Sequence, residues 1–428
     1  MFGAANTDTT VKNTTHKVVL PFYLYAALSL MAATIILFFS VESFTGHYFQ
    51  PHILSITHIM ALGWGTMIIL GASHQLVPVL IESKLYSTKL AYASFILAAT
   101  GIPLLVYGFY TFNMGWPARW GGNFVLLAVI CYVLNLFQSM SKSKSGNIHA
   151  IFVLAASLWL LFTVVLGLAL VYNFDFGFLP EESLTYLPLH AHMGIVGWFL
   201  LLVTGVGSRL IPMFLISKYN NEKLLRLIFV LINAGLLLFI ILFIFIPAKS
   251  FLIIPVIPIL SAIILFGFYC YQAFKLRIRK KVDEQMKTSL LSVLMMLIPL
   301  IFLAGISGWL FAFKVNGRIG LMYGFIIFFG WITTIIFGMT FKTLPFIVWN
   351  KVYHDKAGKG KTPNPKELFD NRIFSVMILI YLIGFTLFII GASLANIFIL
   401  TVAAATLIAV AFLYNWNVIK VLLHKSKI

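Results

Sequence analysis

His58-Ile-Met-Ala-Leu-Gly63-Trp64 runs on to Gly71 and Pro78, and His192-Met-Gly-Ile-Val-Gly197-Trp198 runs on to Gly205 and Pro212. A third stretch, Gly330-Trp331, runs on to Gly338 and Pro345. In all three, glycine follows tryptophan by 7 residues and proline by 14, and the tryptophans stand 134 and 133 residues apart. A pattern that returns at a fixed interval marks one structural unit used three times. The glycines permit close approach of a neighbouring helix or of a flat cofactor, and the prolines loosen the helical ladder near them.

The medium around these repeats follows from composition. Of 428 residues, 61% are hydrophobic and 10% charged, with a mean hydropathy of +1.00. Soluble domains carry about 25% charged residues, so a water-soluble enzyme is excluded. Cys131 and Cys270 lie in apolar runs and read as small buried hydrophobes, not as a disulfide framework. A spanning helix needs about 20 mostly apolar residues. Such runs cover 18–41, 52–81, 88–112, 121–140, 149–173, 190–216, 223–247, 251–275, 289–314, 319–346, 372–395 and 397–422. The expected fold is therefore all-α and polytopic, about twelve transmembrane helices in three pseudo-repeats of four (18–140, 149–275 and 289–422). One membrane domain, 18–422, stands between an N-tail of 1–17 and a C-tail of 423–428. The polar N-tail is not followed by a short apolar region with a cleavage site, so the first run reads as a retained anchor.

The net charge of +18 is distributed by topology. Of the 30 Lys and Arg residues, 25 fall in or beside the two tails and the even-numbered connections. Four (Arg119, Lys249, Lys314 and Arg318) fall on the opposite side, and Arg209 lies within a span, where it is expected to snorkel. Cytoplasmic loops carry the Lys and Arg excess, which predicts cytoplasmic termini in a cell (cytoplasmic or inner) membrane. The basic loops meet anionic headgroups, and nucleic acid is not an expected partner. The Gly-Lys-Gly-Lys-Thr stretch at 358–362 lacks the spacing of a phosphate loop.

The histidines sit on the repeat frame. His58 and His192 each precede their tryptophan by 6 residues, whereas the third repeat has Phe325 there and Tyr323 where the second has His190. His190 and His192 stand about 200° apart around a helix and point to opposite sides. His74 lies about 24 Å deeper than His58 along a helix and serves a different place. Ionisable groups inside a bilayer are costly and mark function. Neutral imidazole suits iron and copper, and histidine is a common axial ligand of heme. His58, His190 and His192 are thus candidate heme or metal ligands, and His74 is a further metal candidate. His52, His149, His354 and His424 read as side chains bonded to neighbouring groups. The Trp116-Pro117-Ala118-Arg119-Trp120-Gly121-Gly122 loop reads as an interface anchor, and its Arg119 is of the type that pairs with a carboxylate such as a heme propionate. All twelve acidic residues lie in loops, tails or span ends, which disfavours active ion pumping, and no thiolate or carboxylate cluster points to zinc hydrolysis.

Twelve spans in three four-helix repeats, with histidines near the ends of the second and sixth, resemble subunit I of the heme–copper oxidase superfamily. The string His190-Ala-His192, followed by Gly197-Trp198, Gly205 and Pro212, is similar to the signature of the NnrS family, whose members contain heme and copper and are linked to nitric-oxide stress. The resemblance implies that His58 takes the place of a low-spin heme ligand and His190 or His192 that of a copper ligand. It also implies a departure. The oxidases' histidine pair in the seventh helix has no counterpart in 223–247, and Tyr323 and Phe325 replace the two histidines of the tenth. The usual dinuclear centre is not built here. The expected cofactor is heme, of b type, with copper as a second candidate.

Three functions are then open: a heme-binding protein that binds or responds to nitric oxide or another diatomic gas; a redox or electron-transfer subunit fed by quinol or respiratory-chain proteins; or a heme or copper carrier in respiratory assembly. No catalytic residue is assigned, and the balance of features leans away from an enzyme.

Overall fold

The computed structural model describes residues 16–81, 83–141, 147–246, 249–312, 317–356 and 362–426. The N-tail up to residue 15 and the lysine-rich 357–361 tract lie outside them. Among the described residues there is no β-strand, and twelve helices are long and apolar enough to cross a membrane. They are span 1, His16–Phe39; span 2, Pro51–Leu80; span 3, Thr88–Tyr110; span 4, Trp116–Ser141; span 5, Ile148–Phe176; and span 6, Leu187–Leu215. Span 7 is Glu222–Phe245, span 8 Phe251–Lys275, span 9 Glu284–Leu303, span 10 Arg318–Tyr353, span 11 Asn371–Leu394 and span 12 Ile397–Leu422. The chain is a helical, multi-pass membrane protein.

Several boundaries differ from the sequence reading: span 10 runs on to Tyr353 rather than 346, and span 9 begins at Glu284 rather than 289. Residues 116–122 are not a loop but the first turns of span 4. Pro117 is tolerated there because the first helical N–H groups have no partner in any case. Span 9 breaks after Met295 and resumes at Leu297, because Pro299 cannot donate to the carbonyl four residues back.

The repeat is built into the backbone. Spans 2, 6 and 10 each change from α- to π-helix five residues before their tryptophan, over Ile59–Thr66, Met193–Leu200 and Ile326–Ile332. A π turn is rare and occurs mostly at functional positions; three at one register show that the three units share one backbone plan. The glycine that follows each tryptophan by seven receives the preceding helix. A Cβ on Gly71 would stand 2.6 Å from Phe22 Cβ of span 1, while Gly205 meets Phe152 of span 5 and Gly338 meets Ser289 of span 9. These glycines therefore serve helix packing. The fourth helix of each repeat is tied to the second by a tyrosine: Tyr132 to Ser73 at 2.8 Å, Tyr269 to the Ser208 carbonyl at 3.2 Å, and Tyr414 to Thr340 at 3.0 Å.

At the centre, the tryptophans link the repeats in one rotational sense. Trp198 Nε1 donates to Thr66 Oγ1 at 3.0 Å, and Trp64 Nε1 donates to Thr333 Oγ1 at 3.1 Å. In both cases the acceptor stands two residues after the partner repeat's tryptophan. The third bond would run from Trp331 to residue 200, which is leucine; Trp331 Nε1 has no partner among the described residues.

Candidate cofactor site

At the end of the bundle that carries His58 and His190, spans 2, 6 and 10 line a chamber of about 410 Å³. Its wall is overwhelmingly apolar and draws on spans 2–6 and 10. His58, His190 and His192 all line it.

His58 Nδ1 lies 2.7 Å from the Leu54 carbonyl, one turn back on the same helix. His190 Nδ1 reaches across to the Thr163 carbonyl of span 5 at 3.1 Å. A carbonyl can only accept, so in both rings Nδ1 carries the hydrogen and Nε2 keeps its lone pair. This is the arrangement that prepares an imidazole for metal: the outer nitrogen is anchored and the inner one is a donor atom. The two rings face each other with centroids 6.2 Å apart and planes inclined by 19°. Gly167 of span 5 makes room for the second ring, since a Cβ there would stand 2.6 Å from His190 Cε1.

His192 points the other way, as the 200° offset requires. Its Nδ1 donates to the Pro188 carbonyl at 2.7 Å, and its Nε2 accepts from Tyr323 Oη at 3.3 Å. The ring lies between Phe239 of span 7 and Tyr323 of span 10. The pairs follow one rule, in which the position six before tryptophan in one repeat faces the position eight before it in the next. That rule gives His58 with His190 and His192 with Tyr323. In the third repeat Phe325 is closed off by aromatic rings, with Phe388 at 4.0 Å and Phe329 at 4.8 Å.

The remaining sequence candidates lie apart. His74 is fully buried at the opposite end, beside Phe22 and Tyr132, with none of the other candidate imidazoles near it. His149 bonds the Gly205 carbonyl and Ser208 Oγ, His52 bonds Ser43 Oγ, His354 bonds Asp355, and His424 bonds Tyr353. Arg119 does not line the chamber. It is paired with Asp175, and its guanidinium lies over Tyr172 and Phe176 at 5.3 and 4.8 Å. The sequence expectation of a propionate partner is thus corrected: a carboxylate of the protein already holds it. Among the described lining residues there is no Lys, Arg, Cys, Asp or Glu.

The described wall offers two facing imidazoles and an otherwise largely apolar lining, with no cation to face an acidic substituent. Besides the three histidines, the hydroxyl-bearing residues in the described wall are Tyr48, Thr57, Thr66, Thr163, Ser183 and Tyr323. Sequence reading had not singled out Gly167, Thr163 or the threonines that receive the tryptophans. Thr66 and Thr333, two residues after their tryptophans, carried a visible signal; Gly167 sits in an apolar run and carried none.

No family model matches the chain. A protein of Aquifex aeolicus described as uncharacterized is 27% identical over 350 residues, covering 80% of this chain and 82% of its own length.

Proposed function

We propose that this protein is a heme-binding protein of the cytoplasmic membrane, with both termini inside, and that His58 and His190 hold one b-type heme in the chamber. The facing pair of anchored imidazoles carries this reading. The two rings stand 6.2 Å apart and nearly parallel; because a metal–imidazole bond of about 2.0–2.1 Å lies in the plane of the ring, His58 and His190 would hold a metal by turning their Nε2 atoms toward it. A bound heme supplies one-electron redox chemistry and a binding position for diatomic gases. The chain's own part is to fix both Nδ1 hydrogens, present two lone pairs and keep bulk water from the ring.

Were both His58 and His190 to hold the heme, the site would favour electron transfer from quinol or a respiratory partner over gas binding. A role in nitric-oxide response requires His190 or His58 to leave its place. Copper also suits neutral imidazole, and a carrier role for heme or copper predicts loose, exchangeable occupancy.

The test is the purified protein in detergent, with oxidised and dithionite-reduced visible spectra and metal analysis on one sample. Sharp reduced α and Soret bands at one heme per chain are expected, lost in His58→Ala and His190→Ala and kept in His192→Ala. Undiminished heme in His58→Ala, or a colourless metal-free wild type, overturns the reading. A spectral shift with carbon monoxide or nitric oxide transfers weight to gas binding, and substoichiometric exchangeable heme to a carrier.

A further inference from the structure

Behind the His192–Tyr323 pair lies a second cavity, of about 50 Å³, between spans 6, 8, 9 and 10. His192, Ile195 and Tyr323 belong to its wall and to that of the large chamber, so the two spaces adjoin. Leu200 and Trp331 also line it. The cavity therefore stands where the third bond of the tryptophan ring is missing. The indole is 3% exposed, and its Nε1 has no acceptor among the described residues. A buried donor left without a partner is unfavourable, and the other two repeats avoid that cost with threonine.

What fills such a space is decided by its walls. Apart from Trp331, His192 and Tyr323, the eleven lining residues are aliphatic side chains, methionine or proline. Tyr323 and His192 already satisfy each other. A buried water needs two to four polar partners, and a cavity that lacks them stays dry and takes apolar guests.

We propose that this cavity is a holding site for one small, largely apolar molecule of the diatomic-gas class, with the Trp331 indole in its apolar wall and the His192–Tyr323 pair between it and the chamber. The inference goes beyond the heme reading and does not rest on it.

The full chain, labelled with ¹⁵N-indole and held in detergent, tests it with xenon as the apolar probe and dioxygen as a paramagnetic one. The Trp331 resonance, assigned by its loss in Trp331→Phe, should shift saturably with xenon and broaden with dioxygen beyond the other buried indoles. Leu200→Phe fills the cavity and should abolish both responses. Should that variant fail to fold, Val256→Ile adds one methyl group from span 8 and should weaken both. A Trp331 signal indifferent to saturating xenon, an exchange peak to a resident water, or an unchanged response in the filled variant overturns the proposal.

Discussion

At the residue scale, the chamber depends on which nitrogen of each histidine is free. His58 and His192 are anchored alike, each to the carbonyl four residues back, whereas His190 is anchored on span 5. The position of His190 is therefore set by a neighbour, and Gly167 is the neighbour's concession. Adding a methyl group in Gly167→Ala pushes the ring away without touching the fold's central contacts. Perturbing such outer support typically costs about 10- to 100-fold in metal affinity. We expect heme retention to fall by that order, with a shift from a low-spin toward a high-spin spectrum. A spectrum identical to that of the wild type would remove His190 from the ligand set. Tyr323→Phe, which deletes only the hydroxyl on His192, should leave heme content unchanged.

At the scale of elements, the three π segments re-aim one side of spans 2, 6 and 10, so that a tryptophan from each reaches the next. Two of these contacts are hydrogen bonds and one is not. A net intramolecular hydrogen bond contributes about 0.5–1.5 kcal/mol. Trp64→Phe and Trp198→Phe should therefore each destabilise the protein by about 1 kcal/mol more than Trp331→Phe, read from thermal denaturation in one detergent. Equal costs for all three would mean that the indoles act by bulk alone. The packing glycines belong to the same scale. In Gly71→Ala the new methyl group meets Phe22 Cβ and the Val19 carbonyl, at 2.6 and 3.3 Å. Overpacking of this kind typically costs about 1–3 kcal/mol, visible as a lowered midpoint with the twelve helices intact.

For the whole molecule, the asymmetry of basic residues makes a claim about sidedness that the bundle alone does not. Lys218, between spans 6 and 7, belongs to the basic side, and Phe178, between spans 5 and 6, to the other; both are exposed. In intact cells a membrane-impermeant thiol reagent should label Phe178→Cys and leave Lys218→Cys unlabelled until the cells are opened. The native Cys131 and Cys270 are half-buried and buried within their spans, and a cysteine-free background removes them from the measurement. The reverse pattern would place the chamber at the cytoplasmic end.

Much of this was legible without coordinates, for a definite reason. Lipid leaves the backbone no partner but itself, so long apolar runs must be helices. Most of their ends agree with the sequence reading to within a few residues; span 4 begins early at Trp116, span 9 begins early at Glu284 and breaks at Met296, and span 10 runs on to Tyr353. The repeat was legible because Trp64, Trp198 and Trp331 hold one place in three copies of one unit. Spacing also put His190 and His192 on opposite sides of span 6, and set His74 apart. Only the tertiary structure decided which imidazole faces His58, since helix periodicity gives a direction but not the neighbour that stands there. It placed His190 against His58, gave His192 to Tyr323 and turned Arg119 to Asp175. The sequence shows Leu200 where the other repeats have Thr66 and Thr333, but only the structure shows that those threonines receive a tryptophan from a repeat more than a hundred residues away.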